Sequence, residues 1–218
     1  MSENSYIRLI KTNRTYRRFW LAAFVSMFGE WFNTIALFII ILKYTESELL
    51  LGILMAVRMG SFALMQPLFG LLADRVNRKK LMIVTNIFQI GLALAFIGVN
   101  GPEDMWWMFT ISGIMMALHG LYVTAERAAL PNIVSEEDLA TANALDSATW
   151  SAALCFGAFA GGLVVSEFGV NVAFIIDSIT FVFGTLMLLP LVIPQTYDKS
   201  SEGSIIKACS IHHSVLGV

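Results

Sequence analysis

Charge is what this sequence has least of. Only 14% of its 218 residues are Asp, Glu, Lys or Arg, against about a quarter in soluble domains, so an ordinary water-soluble globule is excluded. Cysteine is nearly absent too. Cys155 lies inside an apolar run and Cys209 near the carboxyl end, too few and too differently placed for a disulfide framework or a metal site; both read as free thiols. There is no Gly-x-Ser-x-Gly nucleophile turn, no His-Glu-x-x-His zinc helix and no Gly-Lys-Ser/Thr phosphate loop, which removes the common hydrolase, zinc-enzyme and ATP-driven pump readings. The expectation is a protein that is not an enzyme and that needs no cofactor, no metal and no nucleic-acid partner.

What is present is long apolar sequence. Hydrophobic residues make up 57% of the chain and the mean hydropathy is +0.72, the balance of an integral membrane protein. A helix needs about 20 apolar residues to cross the hydrocarbon, and six segments qualify, at about 19–42, 49–72, 81–99, 105–124, 139–165 and 171–193. The fold class is therefore all-α, a polytopic six-span bundle. Short connectors make sequential spans antiparallel. The basic residues Arg8, Lys11, Arg14, Arg17 and Arg18 precede an apolar run too long for a signal-peptide core, so this run stays attached as the first span.

Lys and Arg in loops set orientation. With the amino terminus cytoplasmic, twelve fall on that side, including Arg75, Arg78, Lys79, Lys80, Arg127, Lys199 and Lys207, and only Lys43 falls on the other. Six spans place both termini inside. The domain reading is a basic cytoplasmic amino terminus at 1–18, a six-span unit at 19–193 and a polar tail at 194–218. Units 19–99 and 105–193 could be inverted copies of three helices, since three is odd, although no residue-level repeat is visible.

The chain turns on the stretch Gly70-Leu-Leu-Ala-Asp-Arg-Val-Asn-Arg-Lys-Lys80. Hydrocarbon does not solvate its five ionised side chains, so it is an elbow at the water interface between the second and third spans. Gly70 and Ala73 are expected to allow close packing of the helix end, and Asn77 to supply a positive φ in mid-turn. The stretch resembles the signature Gly-x-Leu-Ala-Asp-Arg-x-Gly-Arg-Lys of the major facilitator superfamily of secondary transporters. Gly70, Leu72, Ala73, Asp74, Arg75, Arg78 and Lys79 match in register, with Asn77 at the usual glycine. From about Tyr16 to about Pro194 the flanks look like the branch holding macrolide efflux proteins and the enterobactin exporter. The resemblance implies the amino-terminal half of a twelve-span fold with a 3+3 inverted repeat. It also implies that Asp74 meets a helix amino terminus of a second six-span half, a placement favourable on dipole grounds, with Arg75 and Arg78 nearby.

Two ionisable residues fall in the hydrocarbon by counting at about 1.5 Å per residue. Glu30 lies about 16 Å from the inner end of the first span and Arg58 about 14 Å from the outer end of the second, on antiparallel neighbours. Each would cost roughly 2.5–3.5 kcal/mol if left facing lipid. They either line a central path, Glu30 as protonatable site and Arg58 as countercharge, or form a fixed ion pair locking two helices. Asn33, Phe62 and Gln66 join them as candidates for the substrate wall. Asp177 and Asp146 lie five to seven residues inside their spans and are expected to bond to neighbouring helices or interfacial water. His119 reads as a packed, hydrogen-bonded histidine in preference to a titrating group.

In the fifth span, Gly157-Ala158-Phe159-Ala160-Gly161-Gly162 places small residues four apart, a helix-packing pattern. It resembles the Gly-Pro-x-x-Gly-Gly motif of proton-coupled exporters, with Ala158 at the proline; the arginine that many drug exporters bury in the fourth span is absent. The resemblance implies gradient-driven efflux of amphipathic small molecules in exchange for protons across a bacterial-type inner membrane. Uptake by the same fold, or an inactive half-transporter or assembly partner, are the alternatives.

Overall fold

Six helices long and apolar enough to cross a membrane account for nearly all of residues 5–194, the part that the computed structural model describes. A short helix α1 (Ser5–Thr12) precedes α2 (Arg14–Thr45), α3 (Glu48–Arg75), α4 (Arg78–Ala95) and α5 (Met105–Ala129). The fifth span is composite: α6 (Glu136–Ala152) and α7 (Ala158–Phe168) are joined by a π turn over Ala153–Gly157, and α8 (Val170–Leu188) follows. No strand occurs among the described residues. The expected tail lies outside them, except for its first residue.

The outer surface is apolar, with Leu64, Leu68, Phe156, Phe159 and Val192 all exposed. Such a surface suits lipid. Inside, two apolar cores occupy the two ends of the bundle. Tyr16, Phe19, Met82, Leu121 and Leu188 belong to the core at the elbow end, and Phe32, Leu37, Met108 and Phe174 to the opposite one. The polar residues of the next section lie between the two cores.

The repeat that is invisible residue by residue appears in the packing. Helix α2 packs on α8 and on the α6–α7 span, as α5 packs on α4 and α3, while α4 and α8 pack on each other. Exchanging the first three spans for the last three leaves this pattern unchanged. Burial follows it: the most apolar windows of α2 and α5 are 56% and 50% buried, those of α4 and α8 are 39% each, and those of α3 and α6–α7 only 11% and 28%. Helices α3 and α6–α7 are therefore the outlying pair.

The elbow is tighter than the sequence suggests. Helix α3 continues to Arg75 and α4 begins at Arg78, so only Val76 and Asn77 connect them. Asn77 does not take a positive φ. At φ −58° and ψ 112° it caps α4, its side chain accepting a hydrogen bond from the Lys80 amide at 3.0 Å. An N-cap satisfies a helix-end donor, and this role explains an asparagine as well as a left-handed turn would. Ala73 is buried as expected, but a Cβ added to Gly70 would meet nothing within 4 Å, so Gly70 is not a close-approach site. Positive φ is needed at Gly169, 83°, where α7 reverses into α8 on a single residue. Lys79 Nζ donates to the Leu189 carbonyl at 2.6 Å and Arg8 pairs with Asp138 at 2.7 Å, tying the elbow end together.

Candidate functional site

Helical spacing builds the site. Ser26, Glu30 and Thr34 stand four residues apart on α2, and Ser112, His119, Tyr122 and Glu126 follow at spacings of seven, three and four on α5, so each set lies along one side of its helix. Arg58 on α3 reaches between them. Its guanidinium pairs with Glu30 Oε1 at 3.2 Å and also donates to Thr34 Oγ1 and Ser112 Oγ, each at 3.2 Å. Arg58 is 3% exposed, and a buried guanidinium persists only when its charge is met. Glu30 Oε2 also lies 3.3 Å from His119 Nδ1. One carboxylate from α2 thus holds a cation from α3 and an imidazole from α5.

Two adjoining cavities open off this cluster. The inner one, about 120 Å³, is lined by Glu30, Arg58, Thr34, Trp31 and Met55; the wider one, about 420 Å³, extends to Phe62, Glu126, Arg127 and Asp146 at the elbow end. They share Met27, Met59, Met116, His119 and Trp150. The walls come from α2, α3, α5 and α6. Methionine side chains are flexible and polarizable, so this wall can change its shape.

The structure brings Glu30 and Arg58 into direct contact and puts Phe62 on the wider cavity. Gln66 sits a turn further on, its Oε1 accepting from the Thr124 hydroxyl at 2.9 Å. Asn33 points elsewhere: it is fully buried and its Nδ2 donates to Asp177 Oδ2 at 2.9 Å, across the α2–α8 contact. Asp177 is equally buried. The helices approach closely there because residue 29 is glycine, where an added Cβ would strike Thr180 and lie 2.9 Å from Asp177 Oδ1. Asp74 and Arg75 are exposed, and Arg78 and Lys79 half-buried, at the elbow. Gly157 and Gly161 pack on α2, where a Cβ would lie 3.0 Å from Trp31 Cβ and 3.2 Å from Phe32 Cα respectively; Gly162 faces open space.

Sequence reasoning missed the ends of the cluster. Thr34 and Ser112 as Arg58 ligands, the contact of His119 with Glu30, and the buried Glu126 were not anticipated. The seven-residue spacing Ser112–His119–Glu126 was the available signal. Asn86 and Gln89, both buried on α4, were absorbed into an apolar run although they lie three apart. Among the described residues no group of three His, Cys, Asp or Glu side chains is placed to hold a metal.

With this geometry in place, comparison with known proteins is decisive at the level of family. The profile of the Major Facilitator Superfamily matches residues 19–215, and the chain belongs to that family. It is 26% identical over 169 residues to the uncharacterized MFS-type transporter YfiS of Bacillus subtilis, covering 75% of this chain and 39% of that protein. It is 29% identical over 169 residues to the enterobactin exporter EntS of Shigella boydii, covering 75% and 40%. A second Bacillus subtilis relative, the uncharacterized MFS-type transporter YkuC, is 25% identical over 206 residues, covering 93% and 47%. The chain thus matches less than half the length of these relatives. Its family consists of transporters, and the chain is a multi-pass membrane protein.

Proposed function

We propose that this chain is the substrate-binding half of a proton-coupled exporter of amphipathic small molecules, macrolide-like or siderophore-like. The observation that carries the reading is the Glu30 carboxylate, held between Arg58 and His119 at the wall of the methionine-lined cavities. Protonating Glu30 removes the charge that holds both partners. Cargo and proton then compete for one site, which is the simplest chemistry of an antiporter. Export is supported by the likeness to an enterobactin exporter. The cytoplasmic placement of the elbow and of both termini, in an inner membrane, is supported by the twelve-to-one distribution of Lys and Arg. Asp74 and the outlying helices α3 and α6–α7 would meet a second six-span half.

Flux into liposomes tests this. The chain, reconstituted with a pH gradient and offered a macrolide and a catecholate as probes, is expected to move one of them in a gradient-dependent manner, and Glu30→Gln to abolish the dependence. Gradient-dependent flux that survives Glu30→Gln overturns the role of Glu30. No flux of either probe favours the second reading, a half-transporter inactive alone.

A further inference from the structure

A second, smaller chamber lies behind the cavity wall. It is about 10 Å³ in volume and is lined by Ser26 of α2, Asn86 and Gln89 of α4, and His119, Tyr122 and Glu126 of α5. Ser26, Asn86, Gln89 and Tyr122 are 7%, 0%, 2% and 4% exposed. Yet Ser26 Oγ, both polar atoms of the Asn86 amide, Gln89 Oε1 and the Tyr122 hydroxyl find no hydrogen-bond partner among the described residues. Five unsatisfied groups in one place are far from what folded proteins show, and the usual remedy is bound water. The volume is about what one water needs. The lining offers donors and acceptors together and no uncompensated cation, which suits water better than a metal ion or an anion.

What lies at the two ends gives the chamber a use. His119 faces Glu30 and Arg58 on one side and lines the chamber on the other. Glu126 also lines the wide cavity, where Asp146 of α6 and Arg127 face it, and a small pocket that it shares with Tyr16 of α2. The chamber residues contributed by α4 and α8, namely Asn86, Gln89 and Phe181, do not titrate.

We propose that this chamber is a water-binding site that passes protons between the Glu30–His119 pair and Glu126, behind the substrate wall. The carboxyl of Glu30 gives its proton to His119, leaving a carboxylate and an imidazolium. The imidazolium gives a proton to chamber water, and the hydronium gives one to the Glu126 carboxylate, restoring neutral imidazole and water. Cargo filling the central cavity would displace water there and leave this route intact. The proposal draws its use, though not the water site itself, from the proton-coupled reading above.

The test is infrared difference spectroscopy of the full chain in lipid nanodiscs, titrated with pH in ordinary and in oxygen-18 water. The carboxyl bands of Glu30 and Glu126 are assigned by Glu30→Gln and Glu126→Gln. The expected result is an isotope-sensitive water O–H band that changes together with the Glu126 band and is lost in Asn86→Leu and in Tyr122→Phe. The pH at which the Glu30 band titrates is also expected to change in Glu126→Gln. Tyr122→Phe removes one hydroxyl only and keeps the test open if Asn86→Leu does not fold. A missing water band, a band indifferent to both chamber variants, or a Glu30 titration indifferent to Glu126→Gln overturns the proposal. If flux in liposomes ignores the pH gradient while the water band and the Glu30–Glu126 coupling persist, the proton-coupled reading fails and the chamber stands. If Glu30→Gln abolishes gradient-dependent flux and no water band exists, the reverse holds.

Discussion

Two polar regions sit one helical turn apart along α2, and they are completed differently. Around Glu30, the guanidinium of Arg58 has protein partners on both terminal nitrogens, in Glu30, Thr34 and Ser112. Around Ser26, four buried side chains converge and none of the five polar atoms named above meets a partner among the described residues. Both regions lie where lipid surrounds the bundle and stray polar groups are costly. The lesson is that burial alone does not distinguish a lock from a conduit. A region held by side-chain pairs has one favoured arrangement, whereas a region closed by water, as proposed around Ser26, would rearrange its hydrogen bonds without moving a helix.

The contrast is broken most severely at Arg58. Arg58→Met strands Glu30 without its cation, and loss of one partner of a buried pair costs about 3–5 kcal/mol. Thermal unfolding in detergent should register this. Adding Glu30→Gln to Arg58→Met is expected to recover more than half of the loss, because the stranded charge is then gone; no recovery would mean that Arg58 acts through packing instead.

Gly29→Ala comes next. The new methyl strikes Thr180 and crowds Asp177, and overpacking of this kind costs about 1–3 kcal/mol. Gly52→Ala, on α3 with nothing within 4 Å of the added carbon, is the matched control and should not destabilise. Asn33→Leu removes the amide donor to Asp177 Oδ2, leaving a buried group unsatisfied at about 1–3 kcal/mol. Asp177→Asn should cost less, since an amide oxygen can still accept from Asn33 Nδ2. Equal losses would mean that the carboxylate of Asp177 itself, and not just an acceptor oxygen there, is needed for stability.

How much of this could be read beforehand follows from what each signal depends on. The six spans and the elbow were legible because they are one-dimensional: an apolar run ends where Asp74, Arg75 and Arg78 begin. The equal depth of Glu30 and Arg58 was legible from counting, because antiparallel helices of known rise bring equal depths together; their direct contact was one of the arrangements left open. Asn33 was placed at the correct depth yet on the wrong side, since it bonds Asp177 across α8, and depth carries no azimuth. Asn86 and Gln89 were hidden because two amides barely alter the mean hydropathy of a span. The π turn at Ala153–Gly157 and the cap at Asn77 are local choices of backbone that composition does not encode. The inverted repeat emerged only when helices could be seen to pack, because its two copies share a contact pattern and not a sequence.

The smallest effect should fall in the unpaired region, and it discriminates most sharply. Tyr122→Phe deletes a hydroxyl that has no partner among the described residues, so no hydrogen bond seen in the structure is broken, and the expected change in stability is about 0.5 kcal/mol or less. The ring stays, and with it the packing of α5 against the core at the elbow end. Trp20→Phe on the same scale should cost about 1 kcal/mol, because the indole N–H donates to Thr149 Oγ1 at 2.8 Å. If unfolding measurements find Tyr122→Phe more damaging than Trp20→Phe, the hydroxyl has a protein partner in the membrane, and the two polar regions are then closed in the same way.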